Sequence, residues 1–353
     1  MFKTIFFDQS CVVRLLIKTY LMFRSLFCKF SEKNTLGQLF RSTQRMYSQT
    51  ATELNKLPDH EVRSWLDSYD TVLTDCDGVL WMYNNAIDGS PDVINRFKEM
   101  GKKVFFVTNN STKTRSEFLE KAISLNFHMI EEEIVSTAYA AAKYLKNRNF
   151  QKKVYVVGSS GIGKELDNVG IRHEGVGPDI LQGSFQDLVH NQFVPNDEIG
   201  AVIVGFDEHF SFPKLFKAAS YLDNPDCMFI ATNTDERFPI AGKVVPGTGS
   251  FVRCVETAAE RKAEVMGKPN PLICEGLFSD FKIDPKRTLM IGDRANTDIE
   301  LGTNCGFQTL LVGTGIHNLN DVDMWKKSVD PNDKKLIPDV FLPSLGDLLK
   351  YMT

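Results

Sequence analysis

The chain has 353 residues, 42% hydrophobic and 24% charged, with a net charge of −4. That length and balance suit one large or two ordinary globular domains and exclude a fibrous or wholly disordered chain. The charge is unevenly spread. Residues 1–47 carry eight Lys/Arg against two acids, Asp8 and Glu32, and the remainder is acidic by ten charges. A body that acidic repels phosphodiester backbones, so no nucleic-acid partner is expected. Seven scattered cysteines form no CxxC pair, which argues against a zinc site or a disulfide framework and for a reduced intracellular setting.

In chain order, the first stretch is apolar but interrupted by Arg14, Lys18 and Arg24. No uninterrupted apolar run of about 18 residues occurs, so no membrane-spanning helix is expected. Basic, acid-poor and amphipathic composition reads as a mitochondrial transit peptide, with cytoplasmic residence as the alternative. In "RMYSQT", Arg45 stands two residues before Tyr47, which suggests cleavage between 47 and 48 and a basic extension covering 1–54.

Beyond it, strands and helices alternate. "TVLT" (71–74) and "KVFFVT" (103–108) read as strands; "SPDVINRFKEMG" reads as a helix capped by Ser90, with Pro91 in its first turn and Gly101 at its end. "TRSEFLEKAISL" and "VSTAYAAAKYLKN" have helical apolar spacing. A second βα-patterned stretch spans 152–262, with "KVYVVG", "AVIVGFD" and "CMFIATN" as strands and "SFPKLFKAASYL" as a helix. "TLMIG", "DIELGTNCG" and "QTLLVG" then return to strand, helix, strand. The expected fold is α/β: a doubly wound, Rossmann-like parallel sheet built from 55–151 and 263–353, with a large α/β cap, 152–262, inserted into it.

In open parallel sheets, ligands bind beyond the carboxyl ends of the strands. There the sequence gathers Asp75 and Asp77 of "DCDG", Thr108, Asn109 and Asn110 of "TNNS", and Asp293 and Asp298 of "GDRANTD", with Lys268 of "MGKPNP" close by. Two carboxylates one residue apart repel each other unless a cation lies between them. Each motif alone has an ordinary reading as a loop or turn. Cys76, between the carboxylates, reads as packing, and His209 reads as a residue of the cap core.

Taken together and in this order, the motifs resemble those of the haloacid dehalogenase superfamily of phosphatases. "VGFDEHFSF", "ATNTDERFP" and "PGTGSFVRCVETA" are similar to its phosphoglycolate phosphatase and pyridoxal phosphate phosphatase branch. The resemblance covers roughly 60–350. It implies Asp75 as nucleophile forming an aspartyl-phosphate, and Asp77 as the acid and base. It implies Mg²⁺ held by Asp75, the Asp77 carbonyl and Asp293. Thr108, Asn109 and Asn110 would bind phosphate, Lys268 would neutralise it, Asp298 would orient Lys268 or a metal-bound water, and Gly78 would leave room for phosphate. A small phosphorylated metabolite is the implied substrate, phosphoglycolate first, with a broad p-nitrophenyl phosphate activity or pyridoxal phosphate as alternatives. Phe238 stands where the pyridoxal phosphate relative has a cap histidine, which makes it the candidate specificity residue. Relatives with this cap often dimerise through it.

One rival pattern is "GSSGIGKE" (158–165), which fits the first part of a phosphate-binding loop. The Ser or Thr that such a loop needs for magnesium is replaced by Glu165, whose carboxylate would repel a triphosphate. A glycine-rich turn opening a cap helix is the reading favoured here. A catalytically inert binding protein is disfavoured because every motif residue needed for hydrolysis is present.

Overall fold

The computed structural model describes residues 50–238 and 242–352. The basic extension and the 47/48 cleavage site therefore lie outside the described residues. In chain order the main strands are β1 (Thr52–Glu53), β2 (Thr71–Thr74), β3 (Lys103–Thr108), β4 (Ile134–Ser136), β5 (Lys153–Val157), β6 (His173–Glu174), β7 (Ile199–Val204), β8 (Met228–Ala231), β9 (Glu264–Val265), β10 (Thr288–Gly292), β11 (Gln308–Val312) and β12 (Val340–Leu342).

Seven of these form one parallel sheet in the order β1-β12-β11-β10-β2-β3-β4. All four residues of β2 are buried, as expected for a strand covered by helices on both faces. Val72 packs with Val62, Trp65, Tyr69 and Phe97 on one side, while Ala295, Ile299, Leu311 and Phe341 form a cluster of their own. The remaining five strands make a second parallel sheet, β9-β8-β7-β5-β6, which is the inserted module.

Two boundaries differ from expectation. The first sheet takes in Thr52–Glu53, ahead of residue 55, because the backbone of Ala51 and Thr52 bonds to Pro338 and Asp339. The second sheet ends with Glu264–Val265, past residue 262; a two-residue edge strand leaves too short a pattern to read.

The helices follow local chemistry. Thr114 and Glu117 form a reciprocal capping box at the start of the helix Arg115–Ser124. Ser136 caps Thr137–Asn147, and Ser211 caps Phe212–Leu222. Ser90 is not the cap of its helix: Gly89, at φ 72°, takes that position. The Ser90 hydroxyl instead donates to the Leu80 and Ile87 carbonyls, tying the helix to the loop after β2.

Candidate active site

Register explains why distant motifs meet. Thr74 pairs with Ile291 on one side and Phe106 on the other. The residues following β2 and β10, and the end of β3, therefore emerge side by side at the carboxyl edge of the first sheet. Asp75, Asp293 and Asp298 each offer a carboxylate oxygen within 4.8 Å of the others.

Lys268 sits among them, 2% exposed. Its ammonium lies 2.8 Å from Asp75 Oδ1 and 2.8 Å from Asp298 Oδ1, and it donates to the Val107 carbonyl at 2.9 Å. Burial works against its charge, but Asp298 and Asp75 outweigh it and hold the ammonium above the usual lysine range. Asp75 Oδ1 also accepts the Cys76 N–H at 2.7 Å, so that both of these contacts fall on one oxygen and leave Oδ2 outside them.

Asp293 is buried, and desolvation, with the neighbouring Asp298 and Asp75 carboxylates, pushes its pKa well up. A single ammonium does not balance three carboxylates in so small a volume. Hard oxygen donors with uncompensated negative charge suit Mg²⁺, so the residues present fit that ion. Asp298 reaches Lys268 with one oxygen, and its Oδ2 accepts the Arg294 N–H at 3.1 Å.

Asp77 is the more exposed carboxylate. Burial and the Asp75 charge raise its pKa above the usual carboxylate value. Trp81 Nε1–H donates to its Oδ1 at 2.9 Å, and Lys121 Nζ lies 3.8 Å from the same oxygen and 4.5 Å from the Trp81 ring centre. Sequence reasoning missed Lys121. Its only signal is its place on a helix that begins just after "TNNS".

Thr108 is buried at the end of β3, its hydroxyl accepting the Asn110 N–H at 3.1 Å. The Asn109 amide and the Oδ1 of Asn110 are committed within the protein. Asn110 Oδ1 accepts from the Thr112 N–H and hydroxyl, each at 2.8 Å, and shapes the turn. Asn109 Oδ1 accepts the Lys268 N–H at 2.8 Å, while its Nδ2 donates to Asp235 and to the Lys268 carbonyl. Asn109 thus organises the junction between the two sheets. Its amide geometry is a consequence of tertiary packing that no spacing reveals.

Gly78, at φ 85°, has a different role from the expected one. A Cβ there would lie 2.5 Å from Asp293 Oδ2, so the space it leaves is for a carboxylate. Gly315, unmarked in the sequence, does the same, with a Cβ placed 1.8 Å from that oxygen. Cys76 is 1% exposed and its thiol is pushed well up by burial, in keeping with packing. His209 is exposed instead of sitting in the cap core. The buried member of that loop is Asp207, which pairs with Lys214 at 2.6 Å and accepts the His209 N–H.

Phe238 packs edge-to-face on Phe206, with centroids 4.8 Å apart. Phe206 in turn meets Phe251, and none of the described contacts joins Phe238 to the carboxylate cluster. The stretch "GSSGIGKE" opens the helix Ser160–Asn168. A Cβ on Gly161 would lie 2.7 Å from the Thr112 carbonyl, so backbone fills the space that a phosphate would need. Glu165 is buried and accepts the Arg115 N–H at 2.8 Å.

Two family models match the chain. A haloacid dehalogenase-like hydrolase model covers residues 72–172, and a HAD-hydrolase-like model covers 265–348. Glycerol-3-phosphate phosphatase of Homo sapiens is 41% identical over 304 residues, covering 83% of this chain and 94% of that protein. Chronophin of Homo sapiens is 38% identical, covering 78% of this chain and 91% of its own length. Among solved structures, a p-nitrophenyl phosphatase from Archaeoglobus fulgidus superposes with a TM-score of 0.68 at 27% identity, covering 80% of this chain and 99% of that one.

Proposed function

The chain belongs to the haloacid dehalogenase-like hydrolases, and on that premise we propose that it is a Mg²⁺-dependent phosphatase of small phosphate monoesters, phosphoglycolate foremost. The observation that carries this reading is the buried Lys268 ammonium, 2.8 Å from both Asp75 and Asp298, beside the Asp293 carboxylate.

The reaction follows from these positions. Asp75 Oδ2 attacks phosphorus; an aspartyl-phosphate bond forms as the bond to the leaving alkoxide breaks. Asp77 gives that alkoxide its proton, then takes a proton from the water that attacks the intermediate and releases inorganic phosphate. Lys268 holds Asp75 in place and offsets charge on the transferring group. Asp75, Asp293 and the Asp77 carbonyl would hold magnesium, which would supply positive charge for the phosphoryl oxygens. Asp298 and the Val107 carbonyl keep Lys268 aimed.

A wider range that includes glycerol 3-phosphate and p-nitrophenyl phosphate is the second reading, supported by what the relatives and the solved structure are named for. Pyridoxal phosphate comes third, since Phe238 offers a ring face but no hydrogen bond. Dimerisation through the inserted module belongs to the same reading.

A substrate panel on the purified protein tests it. Hydrolysis of phosphoglycolate should be lost in EDTA and restored by Mg²⁺, because the carboxylates would otherwise repel each other and the substrate. Calcium should restore it poorly, since its longer, looser coordination misplaces the phosphate. Full turnover in excess chelator would refute the metal assignment.

A further inference from the structure

The leading candidate substrates share a phosphoryl group and differ beyond it. Phosphoglycolate carries a second anion, a carboxylate, whereas glycerol 3-phosphate carries neutral hydroxyls. Recognition of the phosphoryl group alone cannot separate them.

Two of the cations beside the carboxylates are already engaged. Lys268 is buried and taken up by Asp75, Asp298 and Val107. Lys121 is held against Trp81 and Asp77. Arg294 is different. It follows Asp293 directly, stays partly exposed, and its guanidinium meets the loop after β8. Nη2 meets Glu236 at 3.1 Å, Nη1 stands 3.8 Å from Asp235, and Nε donates to Asn296 at 3.0 Å.

The position is close to the chemistry. Asp235 accepts from Asn109 Nδ2, and the same amide group bonds the Lys268 backbone. The loop is also fixed: a Cβ on Gly247 would lie 2.2 Å from the Asp235 carbonyl, and one on Gly249 2.5 Å from that of Thr234. The bond to Glu236 is the weak one, because that carboxylate is 75% exposed and well hydrated. A guanidinium fork matches an incoming carboxylate bidentately, so exchange of one carboxylate for another costs little.

We propose that Arg294 is a specificity-determining residue that binds a carboxylate borne by the substrate, with Glu236 occupying that place until the substrate displaces it. The inference rests on the phosphatase reading above and names the substrate class of that site: phosphate monoesters with a second, carboxylate anion. Asp235 stays in place and orients the guanidinium from the side of the inserted module.

The test compares kcat/KM for phosphoglycolate and glycerol 3-phosphate, with Mg²⁺, in the wild type, Arg294→Gln and Glu236→Gln. Arg294→Gln should lower the phosphoglycolate-to-glycerol 3-phosphate ratio by about tenfold or more, mostly through KM. Glu236→Gln, which frees the guanidinium, should raise that ratio by roughly threefold. Opposite shifts support the proposal, because a merely structural link between the two sheets would change both esters alike. A ratio that stays constant, or moves the same way in both variants, overturns it. Should Arg294→Gln fail to fold, the exposed Glu236→Gln variant decides by the sign of its shift alone. A wild type that hydrolyses neither ester defeats the substrate reading and this inference together; hydrolysis with an unmoved ratio defeats only the inference.

Discussion

A carboxylate that attacks phosphorus must be ionised, fixed and free at one oxygen. Asp75 meets the last two conditions through the Cys76 N–H and Lys268, both of which engage Oδ1. Asp75→Asn keeps the shape but removes the charge, so kcat should fall at least ~10³-fold, about 4 kcal/mol of barrier, with the circular dichroism spectrum unchanged. A variant that keeps more than a tenth of the wild-type rate would remove Asp75 from its role. Phe238 calls for a subtler measurement. Its ring leans on Phe206 in the inserted module, and an imidazole there could hydrogen-bond a pyridine substituent where phenyl cannot. Phe238→His should raise kcat/KM for pyridoxal phosphate relative to phosphoglycolate by about tenfold, roughly 1.4 kcal/mol. Equal loss on both substrates would mean that Phe238 supports packing only.

At the scale of elements, the helix Ser160–Asn168 shows how one sequence pattern serves a different end. Its Gly161 allows close approach to the chain that follows "TNNS" instead of to a phosphate. A Cβ at Gly161 would sit 2.7 Å from Thr112 C and O and 2.8 Å from Lys113 N, all backbone atoms that cannot step aside. Gly161→Ala should therefore destabilise the protein by about 1–3 kcal/mol, read as a lower midpoint in thermal or urea unfolding. An unchanged midpoint would show that the contact is slack. Glu165, which spoiled the phosphate-loop pattern, receives the Arg115 N–H at the start of the neighbouring helix. Its burial was not legible, because nothing local to 158–165 names a partner fifty residues earlier in the chain. The helices Arg115–Ser124, Thr137–Asn147 and Phe212–Leu222 were legible, since the recurrence of apolar residues is local to each segment, although their caps were not named. Ser90 was misread as a cap because its hydroxyl reaches Leu80, ten residues away.

Over the whole molecule, charge divides the chain. Residues 1–47 are basic by six charges and the rest is acidic by ten. We propose that the basic segment directs import and is removed between 47 and 48. N-terminal sequencing of the native protein should then begin at or near Ser48; an intact Met1 in a cytosolic fraction would refute this. The sequence by itself determined the strand–helix alternation, the inserted module and the motif residues at strand ends, because period and turn chemistry are local. It also carried Asp75, Lys268, Asp293 and Asp298 as candidate site residues, since "DCDG", "GKP" and "GDRANTD" are contiguous runs. Only the tertiary structure decided which oxygen of Asp75 the Cys76 N–H and Lys268 engage, that Gly78 and Gly315 make room for Asp293, and that Asn109 bonds Lys268 and Asp235. Only it brought Lys121 to Asp77 and Arg294 to Glu236. The physical reason is that these contacts are set by parallel register and by the packing of one sheet against another. Such distances depend on residues far apart in the chain, and no local pattern encodes them.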